Sequence, residues 1–228
     1  MWFIIGLVLI TSIYILIKFH NRQLLETVTY SNRGTRSERD LVLRLLKHRI
    51  PAQTIFHDLY LKKSNGEFSQ IDLVVVTKVG IIVFEVKDFS GWIFGNGNHS
   101  QWTQVLAYGK SKFRFYNPIM QNNGHIKHLK KQLRQFESIP FYSVVVFYGD
   151  CVLKDISFVP EGTFLVKSKR VFEVMKIIAN NTEAAPYTDK HEVLRVLQKA
   201  ALNGGNVKTQ IEHNENIEGM LGKDRIFD

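Results

Sequence analysis

This sequence predicts an α/β fold with a mixed central sheet, preceded by an apolar anchor and followed by helices. Three observations carry that reading. Apolar spacing changes along the chain in the order helix, three strands, helix, strand, then further elements. Hydrophobic residues make up 45% of the 228 and charged residues 22%, which allows a core and argues against bulk disorder. The first apolar run stands apart: residues 2–17, WFIIGLVLITSIYILI, carry no charge.

As a helix that run spans roughly 24 Å at about 1.5 Å per residue, short of the roughly 30 Å hydrocarbon core of a bilayer. Met1 and Phe19 lengthen it, and Lys18 can snorkel. A secretory signal peptide is the competing reading. It calls for basic residues before the apolar run and a small-residue cleavage site after it. Nothing basic precedes this run and KFHNRQLLE follows it, so residues 1–19 read as an uncleaved transmembrane anchor. Lys18, Arg22 and His20 lie on its C-terminal side. The positive-inside rule then predicts a single-pass protein of the inner, cytoplasmic membrane with its C-terminal domain in the cytoplasm. The single Cys151 excludes an internal disulfide and fits a reducing compartment. Thirty Lys and Arg against 21 Asp and Glu leave a formal +9. That surplus suits nucleic acid or an anionic membrane face, and equally a merely basic soluble protein.

Residues 20–33 read as a polar linker. A helix begins near Ser37, capped by Thr35 or Ser37, because Leu41, Val42, Leu45 and Leu46 recur at helical spacing, and Pro51 stops it. TIFHDLYL, 54–61, reads as a strand and KKSNGEFS as a turn. QIDLVVVTKVGIIVFEVKD, 70–88, holds nine Val or Ile residues and reads as two strands. SGWIFGNGNHSQW, rich in Gly and Asn, suggests a tight turn and a loop, and KSKFRFYNP a strand with one wet face. Asn117-Pro118 opens a helix that runs to about Phe136. YSVVVFYG is a buried strand, GTFLVKS another, and KRVFEVMKIIANN and KHEVLRVLQKAAL are amphipathic helices. The tail, 203–228, is polar and expected to be flexible.

Charge inside the greasy stretch 70–88 asks for a reason. Folded as a hairpin about Lys78-Val79, opposed residues sum to 157, which sets Asp72 against Glu85 on one side of the sheet. Lys87, two residues beyond Glu85, points the same way. Two carboxylates in an apolar wall repel unless one is protonated or a cation sits between them. Mg²⁺ takes hard oxygen ligands, often one or two carboxylates with water and substrate phosphate, and a neighbouring lysine can hold phosphate or orient water. The stretch therefore resembles a phosphodiester hydrolysis site; a structural Asp–Lys or Glu–Lys pair is the alternative. Glu38 shares the core-facing stripe of Leu41 and Val42. It is either a third acidic group at that site or a first-turn Glu favoured by the helix dipole.

Asp72 followed by Glu85-Val86-Lys87 is similar to the D…(D/E)-x-K signature of restriction-endonuclease-like nucleases. With GTRSE, IFHDLYL, SQIDLVVVTKVGIIVFEVKDFSGWIFG, Trp102 and FYNPIMQNNGHIKHL, the chain resembles the nuclease-related domain (NERD) family over roughly residues 32–150. The resemblance implies a restriction-endonuclease-like αβββαβ core, a nuclease-like domain over 34–150, and metal-dependent processing of DNA or RNA. Residues 151–202 would then be a C-terminal extension packing on that domain. The resemblance also assigns Asp72, Glu85 and Glu38 as ligands of Mg²⁺ (or Mn²⁺), Lys87 as the catalytic lysine and Gln121 as a polar residue on the following helix. Ile71 stands where the name of the PD-(D/E)xK signature has Pro.

On a helical wheel Gln121, His125, His128 and Gln132 form a polar strip beside Ile126, Leu129 and Leu133, fit for a cleft or for ordinary interface polarity. His125 and His128 lack a third spaced ligand, which speaks against a transition-metal site. Lys127, Lys131 and Arg134 are a solvated face or a phosphate-backbone contact. Lys110, Lys112 and Arg114, interleaved with Phe113 and Phe115, are the better nucleic-acid candidates, although alternation on an edge strand also explains them. The expectation is a membrane-anchored, Mg²⁺-dependent endonuclease with DNA as first partner and RNA as second. The alternatives are an inactive module binding nucleic acid or protein at the membrane, and a basic structural protein holding anionic lipid.

Overall fold

The structure is a computed structural model that describes residues 2–63, 65–106, 109–180, 183–206 and 210. The chain opens with helix α1, Trp2–Glu26. It is long and apolar enough to cross a membrane, and none of its apolar window is buried. It runs past residue 19 through the stretch that reads as a polar linker. No Gly or Pro interrupts residues 18–26, Arg22 pairs with Glu26 one turn on, at 2.8 Å, and Leu24 and Leu25 already lie against the core. Helix α2, Arg36–Lys47, begins where Thr35 accepts the backbone N–H of Glu38, an N-cap that satisfies one of the free amides of the first turn.

Strands β1 (Ile55–Lys62), β2 (Phe68–Thr77) and β3 (Gly80–Asp88) follow as an antiparallel meander. The β2–β3 register is the one the hairpin spacing predicts, from Thr77↔Gly80 to Leu73↔Phe84. Strands β4 (Trp92–Asn96), β5 (Gln101–Leu106) and β6 (Ser111–Tyr116) come next. Here the expectation of a turn and a loop after β3 fails. Trp92, Phe94 and Trp102 carry β propensity that the Gly and Asn residues obscured, and Trp102 lies flat over Gly95, where a Cβ would come within 2.2 Å of its ring. Helix α3, Pro118–Lys130, starts at the Asn117 cap. It stops short of Phe136. Leu133 is extended, a 3₁₀ turn follows at Arg134–Glu137, and the break lets Phe136 reach full burial edge-on to Phe141. Strands β7 (Phe141–Tyr148), β8 (Val152–Ser157) and β9 (Thr163–Lys167) and helices α4 (Val171–Asn180) and α5 (Lys190–Asn203) complete the described chain. Most of the tail expected to be flexible lies outside the described residues.

The strands form two mixed sheets. The larger has the order β1-β2-β3-β7-β9, with β3, β7 and β9 parallel. The smaller has the order β6-β5-β4-β8, with β4 and β8 parallel. Helices α2 and α4 cover one face of the larger sheet, and α3 and α5 the other, each over its own apolar cluster. A third cluster, around Trp102, Ile93, Ile119 and Phe147, joins the sheets.

The parallel pair β3–β7 continues into β4–β8 across two sharp bends. At one of them Gly149 has φ +65°, and a Cβ there would lie 2.3 Å from the Phe89 carbonyl oxygen. Gly149→Ala is therefore expected to destabilise the protein by at least about 1–3 kcal/mol, lowering the melting temperature by roughly 2–4 °C per kcal/mol. Thermal denaturation followed by circular dichroism measures this; an unchanged midpoint would show that the bend relaxes.

Candidate active site

The site forms where the antiparallel meander comes apart. Pairing between β2 and β3 reaches Leu73↔Phe84, one position short of Asp72 and Glu85. Between β1 and β2 the ladder skips Asp58, which lies opposite Asp72 and has φ +55°. Both strands exchange faces there. Ile55, Leu73 and Val75 belong to the core under α2, whereas Leu59, Leu61 and Ile71 belong to the core under α3. Strand alternation alone does not give that reversal; a left-handed residue at Asp58 does. Arg33 anchors the distortion, giving Nε to Asp58 Oδ2 at 3.0 Å and Nη2 to the Asp58 carbonyl at 2.5 Å, and Gln70 donates to Oδ1 at 2.8 Å.

Asp72 turns one carboxylate oxygen to the backbone N–H of Val86, at 2.7 Å. Burial, with Glu85 and Glu38 adding their charge, pushes its pKa well above the usual carboxylate range. Asp72 therefore lies within the field of carboxylates from both faces of the sheet. On the α3 side, Glu85 is 1% exposed. Its Oε1 receives Lys87 Nζ at 2.7 Å and its Oε2 lies 3.3 Å from His125 Nε2. Burial works to raise Glu85, but His125 and Lys87 outweigh it and hold the acid below its ordinary value. Lys87 also donates to Gln121 Oε1 at 3.1 Å and keeps a fifth of its side chain exposed. His125 Nδ1 meets Ser69 Oγ at 3.1 Å.

On the α2 side, Glu38 is 4% exposed. Thr35 Oγ1 donates to its Oε1 at 2.7 Å, and His57 Nε2 lies 3.3 Å from its Oε2. Burial again opposes ionisation, and His57 and Thr35 again prevail, so Glu38 is held below the usual range. His57 Nδ1 in turn meets Thr29 Oγ1, just beyond α1, at 2.8 Å. Ser37 and Asp88 hydrogen-bond across the gap between α2 and the end of β3.

Among the predicted site residues, Asp72, Glu85, Lys87 and Gln121 are thus linked directly or through Val86, and Glu38 reaches them through its charge on Asp72. His57, Thr29, Asp58, Arg33 and Ser69 had not been singled out. The rule applied to the stretch 70–88 would have found two of them, since His57 and Asp58 are polar residues inside an apolar strand. Whether these groups suit a metal can be judged from their oxygens. Glu85 Oε2 and Glu38 Oε2 are buried and make no well-formed hydrogen bond, each facing a histidine Nε2 at 3.3 Å. Among the described residues, no three His, Cys, Asp or Glu side chains are gathered to hold an ion by themselves. Glu38, Asp72 and Glu85 are therefore not gathered as a three-carboxylate set around one point.

Lys112 and Arg114 are exposed on β6, the edge strand of the smaller sheet, and Lys110 precedes it in a turn. The aromatic residues between them do not share their face. Phe115 turns inward against Phe89 and Trp102, at 4.7 and 6.2 Å between ring centres.

The nuclease-related domain family model matches residues 33–148, half of the chain. Over 118 residues the chain is 33% identical to a Bacillus anthracis protein described as an uncharacterized protein. That match covers 51% of this chain and 54% of the other, so the chain spans about half the length of that relative. No solved structure matches.

Proposed function

This chain belongs to the nuclease-related domain family, and on that premise we propose that it is a membrane-anchored, metal-dependent nuclease that hydrolyses phosphodiester bonds of DNA. In this reading α2, β1–β3, α3 and β7 are the restriction-endonuclease-like αβββαβ core, and the smaller sheet is an elaboration between β3 and α3. Helix α1 is the anchor, and Lys18 and Arg22 orient the remainder toward the cytoplasm. The observation that carries the proposal is geometric: Glu85 Oε1 and Gln121 Oε1 hold the Lys87 ammonium at 2.7 and 3.1 Å, and Asp72, accepting from the Val86 N–H, brings a second carboxylate to the same open end of the β2–β3 ladder. A structural ion pair needs no second carboxylate and gains nothing from the repulsion.

Asp72 and Glu85 would hold Mg²⁺ or Mn²⁺ with water and substrate phosphate, and Glu38, on the α2 side, would add only its charge. Bound there, the ion supplies Lewis acidity toward water and the scissile phosphate. Val86 N–H fixes the rotation of Asp72, and His125 fixes that of Glu85. Lys87, a fifth of its side chain open to solvent and steadied by Gln121, orients the attacking water and offsets charge gathering on the phosphate oxygens.

The test is incubation of the detergent-solubilised full chain with supercoiled plasmid in Mg²⁺, Mn²⁺ or EDTA. Nicking in either metal and none in EDTA is expected. A second reading has its own support: Lys87 is already paired with Glu85 at 2.7 Å, as in a non-catalytic nucleic-acid-binding module. Plasmid bound but intact in every metal would establish that reading and reject hydrolysis.

A further inference from the structure

The smaller sheet has an outer face that the catalytic reading leaves unused. Register aligns Trp92 with Val105, Phe94 with Thr103, Thr103 with Arg114, Val105 with Lys112, and Gln101 with Tyr116. Paired residues point to the same side of a sheet. Trp92, Phe94, Tyr116, Lys112 and Arg114 therefore share one face, opposite the Ile93–Trp102–Phe115 side that packs inward. Trp92 is 37% exposed and Tyr116 54%. Lys154 of β8 holds its ammonium over the Trp92 ring, 5.7 Å from the centre. Two shallow depressions meet on this face at Thr103. The apolar one, about 450 Å³, is floored by Trp92, Phe94 and Val105 with Lys112 at its side. The polar one, about 480 Å³, lies beside Gln101, His99 and Arg114.

Resting on the nucleic-acid reading above, we propose that this face binds a single strand of nucleic acid, with bases stacked on Trp92, Phe94 and Tyr116 and phosphates held by Lys112, Arg114 and Lys154. The chemistry favours a strand over a duplex. Flat aromatic rings need an unstacked base, which a duplex does not offer. The charge is complementary: three cations surround the rings, against one carboxylate, Asp155, aligned with Phe94. A depression that changes from apolar to polar along its length suits a ligand whose bases and backbone lie side by side. Trp92 also reports on itself, since Trp102 is 1% exposed and Trp2 belongs to the apolar helix.

The experiment uses the full chain in zwitterionic nanodiscs, in EDTA so that no strand is cut. Fluorescein-labelled oligo(dT) of about 12 nucleotides is compared with a duplex of equal length by anisotropy. The single strand is expected to bind more tightly and to quench tryptophan emission. Trp92→Leu should weaken binding roughly 5- to 150-fold and remove the quenching. Lys112→Ser with Arg114→Ser, both at exposed positions, should flatten the salt dependence by about 0.7 per cation removed. Equal binding of duplex and single strand, or unchanged binding in both variants, overturns the proposal. So does quenching of Trp92 by brominated anionic lipid in place of oligonucleotide, which would make the face a membrane contact. The two readings fail separately. Plasmid nicking without oligonucleotide stacking rejects this surface alone. Stacking that survives in a chain that never nicks rejects hydrolysis alone.

Discussion

Replacing Lys87 by Ala is expected to lower Mg²⁺-dependent nicking by at least about 100-fold, the scale of losing one preorganised group that stabilises transition-state charge. Three features single out this lysine. It follows Glu85 by two positions, so it emerges on the same side of β3. Its ammonium is steered from two directions, by Glu85 Oε1 at 2.7 Å and by Gln121 Oε1 at 3.1 Å. A fifth of its side chain remains open to solvent, where a phosphate would approach. Removing one partner of a largely buried pair also threatens the fold, by up to about 3–5 kcal/mol. Glu85 keeps His125 as a second partner at 3.3 Å, which predicts a cost below that range. Lys87→Arg provides the control, because it retains the charge opposite Glu85 but not the compact ammonium. Melting close to wild type with activity still reduced would separate chemistry from folding. Full activity in a folded Lys87→Ala protein would remove this lysine from the mechanism.

Asp72→Asn is expected to do two opposite things: abolish nicking and stabilise the metal-free protein. Burial and two neighbouring carboxylates hold the Asp72 pKa well above normal. A raised acid contributes stability below the ordinary aspartate value, about 3.9, and loses it as pH rises through the folded-state value. Above that folded-state value, in EDTA, Asp72 is therefore a source of repulsion. Asparagine removes the charge and retains an acceptor for the Val86 N–H. A gain of about 0.5–2 kcal/mol is expected, read as a melting shift of a few degrees. The advantage over wild type should shrink as pH falls through the raised folded-state value, above the ordinary aspartate range, where Asp72 takes up its proton anyway. Glu85 and Glu38 work in the other direction, because both are held below the ordinary value. Their contribution is present above about 4.3 and is lost as pH falls through their lowered values. Mg²⁺ should raise the melting temperature of the wild type, by about 2.7 kcal/mol of stabilisation at a hundred times its dissociation constant, and leave Asp72→Asn unmoved. If Asp72→Asn instead melts lower than wild type in EDTA, and Mg²⁺ stabilises neither, the carboxylates are structural.

Much of the molecule could be read from local pattern. The charge-free run at the N-terminus, the helical spacing of Leu41, Val42, Leu45 and Leu46, and the Asn117-Pro118 start each record a short-range constraint. So does the hairpin about Lys78-Val79, whose two-residue turn sets the register of both strands. The breaks were less legible. α3 ends at Lys130 because Phe136 is drawn into the core with Leu59, Ile81 and Val193, and no local signal announces such distant partners. β4 and β5 were hidden for a related reason: Gly95 and Gly97 look like loop residues until Trp102 and the Phe158 carbonyl are found against them.

The sequence by itself determined the helices and strands of the larger sheet, though not β4, β5 and β8, together with the β2–β3 register and the acidic and basic groups that bear on function, because periodicity and turn chemistry act over a few residues. Only the tertiary structure decided how those groups are wired. Asp58 in a left-handed conformation, held by Arg33 from 25 positions away, opens the strands at Asp72. His57 and His125, from a strand and a helix on opposite faces, then reach the two glutamates. Such contacts join residues far apart in the chain, so they exist only once the two cores have closed around the sheet.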